Sequence, residues 1–163
     1  MFITSGLSGY LIKKGVRKYK LDRTFKFFRF QNSWHYILKG EFFDFPRADM
    51  VLEKDTVEDI EFVFIDAITE INGESFIYDG ILVDYELSNE GGLETISITN
   101  AQRRKLSDDS EISKNGKRKD NSNKYYPISG HILVLKYCEL KNLNFTYLTL
   151  DHKKDEYKAR LVE

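Results

Sequence analysis

The sequence predicts a mainly β fold, a curled antiparallel sheet or small barrel, behind a basic and helix-patterned N-terminal arm. Three observations carry that reading. Twelve Phe and ten Tyr residues enrich the chain in side chains that favour pleated, half-buried surfaces. The run FVFIDAITEI, the dipeptide Asn72-Gly73 and the run ESFIYDGILVDYEL have the form of two strands joined by a tight hairpin turn. Charge is also segregated along the chain. Eight bases and the single acid Asp22 lie between Met1 and Phe30, whereas fifteen acids face only Arg47 and Lys54 between Gly40 and Glu90.

Taken in order, residues 1–23 form the arm. Leu11, Ile12, Val16 and Tyr19 recur at helical spacing with Lys and Arg between them, although Gly6 and Gly9 weaken the first turns. Residues 24–150 read as the β-domain. Its first strands are expected in FKFFRF and in NSWHYILKGEFFDF, with a turn near Lys39-Gly40 and an end at Pro46. RADMVLEKDTVEDIE reads as a loop or short helix. The Asn72-Gly73 hairpin follows, with Gly80 marking a bulge or bend in its second strand. Residues 107–124 read as an exposed, mobile loop, since Ile112 is the only large apolar residue there. YYPISGHILVLKYCELKNLNFTYLTL supplies two or more further strands, and residues 151–163 a charged tail or short helix.

The paired glycines Gly91-Gly92 could suggest a phosphate loop. Such a loop needs a helix start behind it, but LETISI follows with a strand pattern and the flanking charge is negative. A hairpin turn is expected. The acids Asp79, Asp84, Glu86, Glu90 and Glu94 resemble a solvated sheet face more than a catalytic pair, with Asp84 and Glu86 on one side of a strand. His35, His131 and His152 are scattered, and with one cysteine they offer no zinc pattern. Cys138 lies in apolar text and is expected as a buried thiol. No serine stands in a nucleophile elbow. Neither an enzyme nor a metal or other cofactor is expected.

A lone cysteine permits no internal disulfide and fits a reducing compartment. No secretory signal is visible, and no apolar run is long enough to span a bilayer. The most informative polar feature is the set Lys13, Lys14, Arg17, Lys18 and Lys20, interleaved with apolar residues. It suits an anionic membrane surface. Nucleic-acid phosphates, or the chain's own acidic region, would also accept it. Arg103, Arg104 and Lys105 form a second basic patch beside the 107–124 loop. The apolar lead FITSGLSGYLI, followed at once by Lys13-Lys14, has the form of a helix end just inside a bilayer, so an anchor upstream is an open expectation.

Gly80, Leu82, Tyr85 and Glu86 in one bent strand, followed by Ile128, Gly130 and Leu133, resemble the motifs of small Sm-like and SH3-like barrels. Ser129 stands where many members carry a basic residue, and no Asn occupies the base-contacting turn. The resemblance therefore implies a barrel rather than RNA binding. More loosely, the basic segment followed by a β-domain with Tyr125, Tyr126, Pro127, Ile128 and Gly130 is similar to the cytoplasmic part of bacterial membrane-anchored proteins. That implies location and architecture but no activity.

The expectation is a non-enzymatic interaction module at the cytoplasmic membrane face, binding anionic lipid through the arm and a protein partner through the β-domain. The alternative is a nucleic-acid-binding small barrel. A third class, an enzyme using Asp84 and Glu86, ranks below both. Exposed strand edges also make a homo-oligomer plausible.

Overall fold

A computed structural model of the chain describes residues 2–48, 52, 54–110, 122–151 and 158–161. The chain divides into two compact units, Met1–Ile60 and Glu61–Leu161. The boundary therefore lies well beyond the 23/24 junction expected from the sequence.

The first unit is helical. Helix α1 (Phe2–Lys18) ends in a turn at Tyr19–Lys20, where Lys20 adopts a left-handed conformation (φ 53°). Arg17 and Lys18 in its last turn complement the negative end of the helix dipole. The short α2 (Leu21–Thr24) follows, then a 3-10 turn at Lys26–Phe28 and helix α3 (Ser33–Leu38). Asn32 caps α3, its side-chain oxygen accepting the Trp34 N–H at 2.9 Å. Further 3-10 turns cover Glu41–Asp44 and Val57–Asp59. In the latter, the Asp59 carboxylate accepts from both the backbone N–H and the hydroxyl of Thr56. Val16, Tyr36, Leu38 and Val57 form the buried apolar core of this unit.

The strands expected between Thr24 and Pro46 are therefore helical turns. Aromatic crowding favours strands only weakly. Here it is overruled by a start signal at Asn32 and a stop at Gly40, whose φ of 68° suits the residue that ends a helix. The turn at Lys39-Gly40 stands where it was expected.

The second unit is an antiparallel sheet. Strands β1 (Phe62–Ile71) and β2 (Glu74–Leu87) form the expected hairpin, and β3 (Leu93–Lys105) follows. The two loop residues Asn72 and Gly73 have φ of 52° and 80°, as a tight hairpin turn that matches strand twist requires. Gly91-Gly92 closes the β2–β3 hairpin: Ser88 N–H donates to the Gly92 carbonyl at 2.8 Å and Gly92 N–H to the Ser88 hydroxyl at 3.1 Å. The phosphate-loop alternative gives way to a turn between strands. β4 (Tyr126–Pro127) and β5 (Leu133–Lys136) occupy successive stretches of the outer edge of β3. β6 (Leu140–Asp151) returns to pair with β1, and β7 (Lys158–Leu161) pairs with β6. The expected tail thus contributes an edge strand. Of the expected 107–124 loop, Leu106–Ser110 and Ser122–Lys124 are 3-10 turns, and the rest lies outside the described residues.

This topology forces a curl. β5 pairs with β3 and β6 with β1, yet only the 3-10 turn Tyr137–Glu139 separates β5 from β6. In a flat sheet the two strands would stand four inter-strand spacings apart, roughly 19 Å. Four extended residues reach only about 14 Å. Three register shifts in the β2–β3 ladder, near Gly80, Val83 and Leu87, supply the extra twist. Ile65, Ala67, Ile96 and Ile98 on the inner face are fully buried, joined by Tyr78, Ala101, Leu135 and Tyr147. Among the described residues no ladder joins the two ends, so the sheet is curled but open, and the barrel alternative is not reached.

Candidate functional site

Within the helical unit, the arm's charges divide into two groups. Arg17 forms a two-pronged bond to Glu41, Nη1 to Oε2 at 2.7 Å and Nη2 to Oε1 at 2.6 Å, and Nη1 also reaches Asp22 Oδ2 at 2.7 Å. Asp22 is 1% exposed and accepts the Tyr36 hydroxyl at 3.0 Å. Arg23 contacts Glu41, Asp44 and Glu58, and Lys20 pairs with Glu58. Burial pulls the Glu41 carboxyl upward, but the Arg17 fork and the Arg23 charge outweigh it and hold its pKa below the ordinary value. The Glu41 hydrogen bond in turn holds the Arg17 guanidinium above its usual range. Burial lowers the pKa of His35, so it stands neutral near pH 7 beside this cluster.

The second group faces outward. Lys13, Lys14 and Lys18 are exposed, and no ion pair engages them among the described residues. Beside them on α1, Tyr10, Leu11 and Ile12 are 62%, 57% and 59% exposed. Of the five arm residues expected to meet anions, two are therefore occupied by the unit's own carboxylates and three are open. The acids that complete the cluster, Glu41, Asp44 and Glu58, were legible only as a negative stretch, because their positions depend on turns that sequence patterning misread.

The sheet divides the second basic patch. Arg103 and Lys105 share one side of β3. Arg103 donates to the hydroxyls of Tyr126 and, at 3.3 Å, Tyr78, and Lys105 pairs with Glu74 at 2.8 Å. Arg104 points to the other side, 9% exposed, with its guanidinium 4.9 Å from the Tyr125 ring centre. Strand alternation separates what is adjacent in sequence.

On that same outer side, Asp79 stands directly opposite Asp66 of β1. Asp79 is 9% exposed, one of its carboxyl oxygens has no hydrogen-bond partner, and Asn144 donates to Asp66 at 3.1 Å. Burial, then the neighbouring Asp66 charge, raises the Asp79 pKa to about 6. A two-residue turn at Asn72-Gly73 fixes this pairing, so counting back along the hairpin would have found it. Asp84 and Glu86 are exposed; Asp84 accepts its neighbour's N–H and Glu86 the Thr95 hydroxyl at 3.2 Å, bonds that a solvated sheet face makes.

Cys138 is exposed, correcting the expectation of burial. It sits in the 3-10 turn between β5 and β6, a position set by topology rather than by its apolar neighbours. There it lines a groove of about 470 Å³ with Tyr78, Leu133 and Leu135. His131 is exposed and its carbonyl accepts the Thr99 hydroxyl at 2.9 Å. Among the described residues no cluster of three metal-ligating side chains occurs, and no helix is long and apolar enough to cross a membrane. No protein-family model, curated protein or solved structure matches the chain.

Proposed function

We propose that the protein is a non-enzymatic interaction module that works at the cytoplasmic face of an anionic membrane. The observation that carries this reading is the exposed segment of α1, in which Tyr10, Leu11 and Ile12 are followed along the helix by Lys13, Lys14 and Lys18. Apolar side chains for the acyl boundary beside lysines for the headgroups are the two components of interfacial binding. Each lysine near such a surface contributes about 1 kcal/mol. Arg17, Lys20 and Arg23 hold the unit together and leave the lipid to the other three. The exposed thiol of Cys138 fits a reducing compartment.

The β unit supplies the protein-binding part. Among the described residues β5 pairs on one side only, and Ile132 and Val134 beside that edge are 58% and 56% exposed. A partner strand, or a second copy of the chain, would add there. The curl of the sheet supports a distant relationship to Sm-like or SH3-like barrels. The nucleic-acid alternative gains little support, since Arg103, Arg104 and Lys105 do not share a surface.

The double variant Leu11→Ser, Ile12→Ser separates the two readings. We expect it to weaken binding to phosphatidylserine vesicles by about tenfold, as lost apolar contact predicts, with no change in any binding to single-stranded nucleic acid. Vesicle binding that is indifferent to these two residues would leave only charge, and the membrane reading would lose its distinguishing support.

A further inference from the structure

The helical unit distributes its cations unevenly. Arg17, Lys20 and Arg23 are met by carboxylates, whereas Lys26, Arg29 and Arg47 line one groove of about 590 Å³ together with Thr24, Phe42 and Phe45. Among the described residues no carboxylate lines it. Among the described residues none of these three cations forms an ion pair. Positive charges brought together without a counter-charge repel one another, and an anion in the groove would relieve that repulsion.

Arg29 is the most ordered of the three. Its Nε–H donates to the Asp22 carbonyl at 3.1 Å, and its guanidinium carbon lies 3.5 Å from the centre of the Phe45 ring. These two contacts fix the guanidinium plane and leave the Nη donors without an acceptor among the described residues. A planar guanidinium held flat on an aromatic ring, with its paired donors free, matches two oxygens of a phosphate. Lys26 and Arg47 add charge on either side, and Thr24 adds a hydroxyl donor. Three cations suit a phosphomonoester, which carries close to two negative charges near neutral pH, better than a singly charged carboxylate. The volume falls in the range of about 300–1,000 Å³ typical of small-ligand sites.

We infer that this groove binds a phosphomonoester group, with Arg29 as the bidentate partner and Lys26 and Arg47 as flanking charges. The group has two sources, a soluble phosphorylated polyol or the headgroup of a phosphorylated lipid. Phe25 and Phe27, which flank Lys26 in sequence, are 54% and 86% exposed, apolar side chains that the lipid source would cover and the soluble source would not. Lys13, Lys14 and Lys18 take no part in the groove, so this inference stands or falls apart from the reading of α1.

Titration calorimetry of the full chain with soluble inositol 4-phosphate tests it, alongside sedimentation with vesicles of phosphatidylcholine containing phosphatidylinositol 4-phosphate or phosphatidylserine at equal charge. We expect binding of the soluble probe that the charge-conserving Arg29→Lys weakens by about tenfold or more, through loss of the bidentate geometry. Arg47→Gln and Lys26→Gln, at exposed positions where folding is not at stake, should also weaken it. The Lys13→Glu, Lys14→Glu, Lys18→Glu triple variant should bind the soluble probe as the parent does. A preference for phosphatidylinositol 4-phosphate over phosphatidylserine that vanishes in Arg47→Gln would identify the lipid as the source; its absence, with soluble binding retained, would identify the free polyol phosphate. No binding of either probe, or binding that Arg29→Lys, Arg47→Gln and Lys26→Gln all leave unchanged, overturns the inference.

Discussion

On the outer face of β2, the Asp79 carboxyl is buried opposite Asp66 and its pKa stands at about 6 instead of the ordinary 3.8. Because the folded state holds this proton more tightly than the unfolded chain, the associated stability is fully present below pH 3.8. It is lost as pH rises through about 6. Arg104, Tyr125, Gln102 and Asn144 are the other polar groups around the pair, and the Arg104 charge only partly offsets the effect. Asp79→Asn, which imitates the protonated form, is expected to stabilise the β unit by about 1–3 kcal/mol at pH 8 and to change little at pH 4. Thermal melts of both proteins across that range check it, and equal shifts at both pH values would contradict the assignment. In the helical unit the opposite logic holds. Glu41→Gln leaves Arg17 and Arg23 facing a neutral amide in a half-buried site, and a loss of about 2–4 kcal/mol is expected. The single Trp, Trp34 on α3, reports this unit's urea transition directly.

At the scale of elements, glycine positions decide where the sheet bends. A Cβ at Gly80 would lie 2.8 Å from the Thr99 carbonyl oxygen and 3.0 Å from the Ile98 side chain. Backbone cannot move aside cheaply there, so Gly80→Ala is expected to destabilise the β unit by about 1–3 kcal/mol in denaturant melts. A neutral result would mean that the bulge adjusts freely. Both this bend and the Asn72-Gly73 hairpin were legible in the sequence, because strand alternation and turn chemistry are local. The helices between Leu21 and Leu38 were not. Their aromatic residues favour strands, and the signals that prevail are one capping side chain and one left-handed glycine. The candidate sites were legible in proportion to their locality. Lys13, Lys14, Arg17, Lys18 and Lys20 were legible as one basic set but not which of them meet carboxylates, and Asp66 opposite Asp79 follows from hairpin register. The burial of Arg17 against Glu41, and the meeting of Lys26, Arg29 and Arg47, depend on how short helical turns fold back. Cys138 was misplaced because its exposure follows from the β5–β6 connection and not from its neighbours.

For the whole molecule, the two units carry different kinds of surface. The helical unit pairs Arg17, Lys20 and Arg23 with its own carboxylates and exposes Lys13, Lys14 and Lys18 beside Tyr10, Leu11 and Ile12. The β unit buries an apolar inner face in a curled sheet, and among the described residues the outer edge of β5 pairs with no strand. Under the proposed function, the helical unit would meet the lipid and the β unit the protein partner. Sedimentation of the full chain with vesicles of phosphatidylcholine alone or with phosphatidylserine, at low and physiological salt, tests this most directly. The parent protein should bind only the anionic vesicles, less well as salt rises. Lys13→Glu, Lys14→Glu, Lys18→Glu should weaken that binding by about a hundredfold or more, since each lysine contributes about 1 kcal/mol. Equal sedimentation of parent and triple variant, or no binding of the parent to anionic vesicles at low salt, would contradict the account.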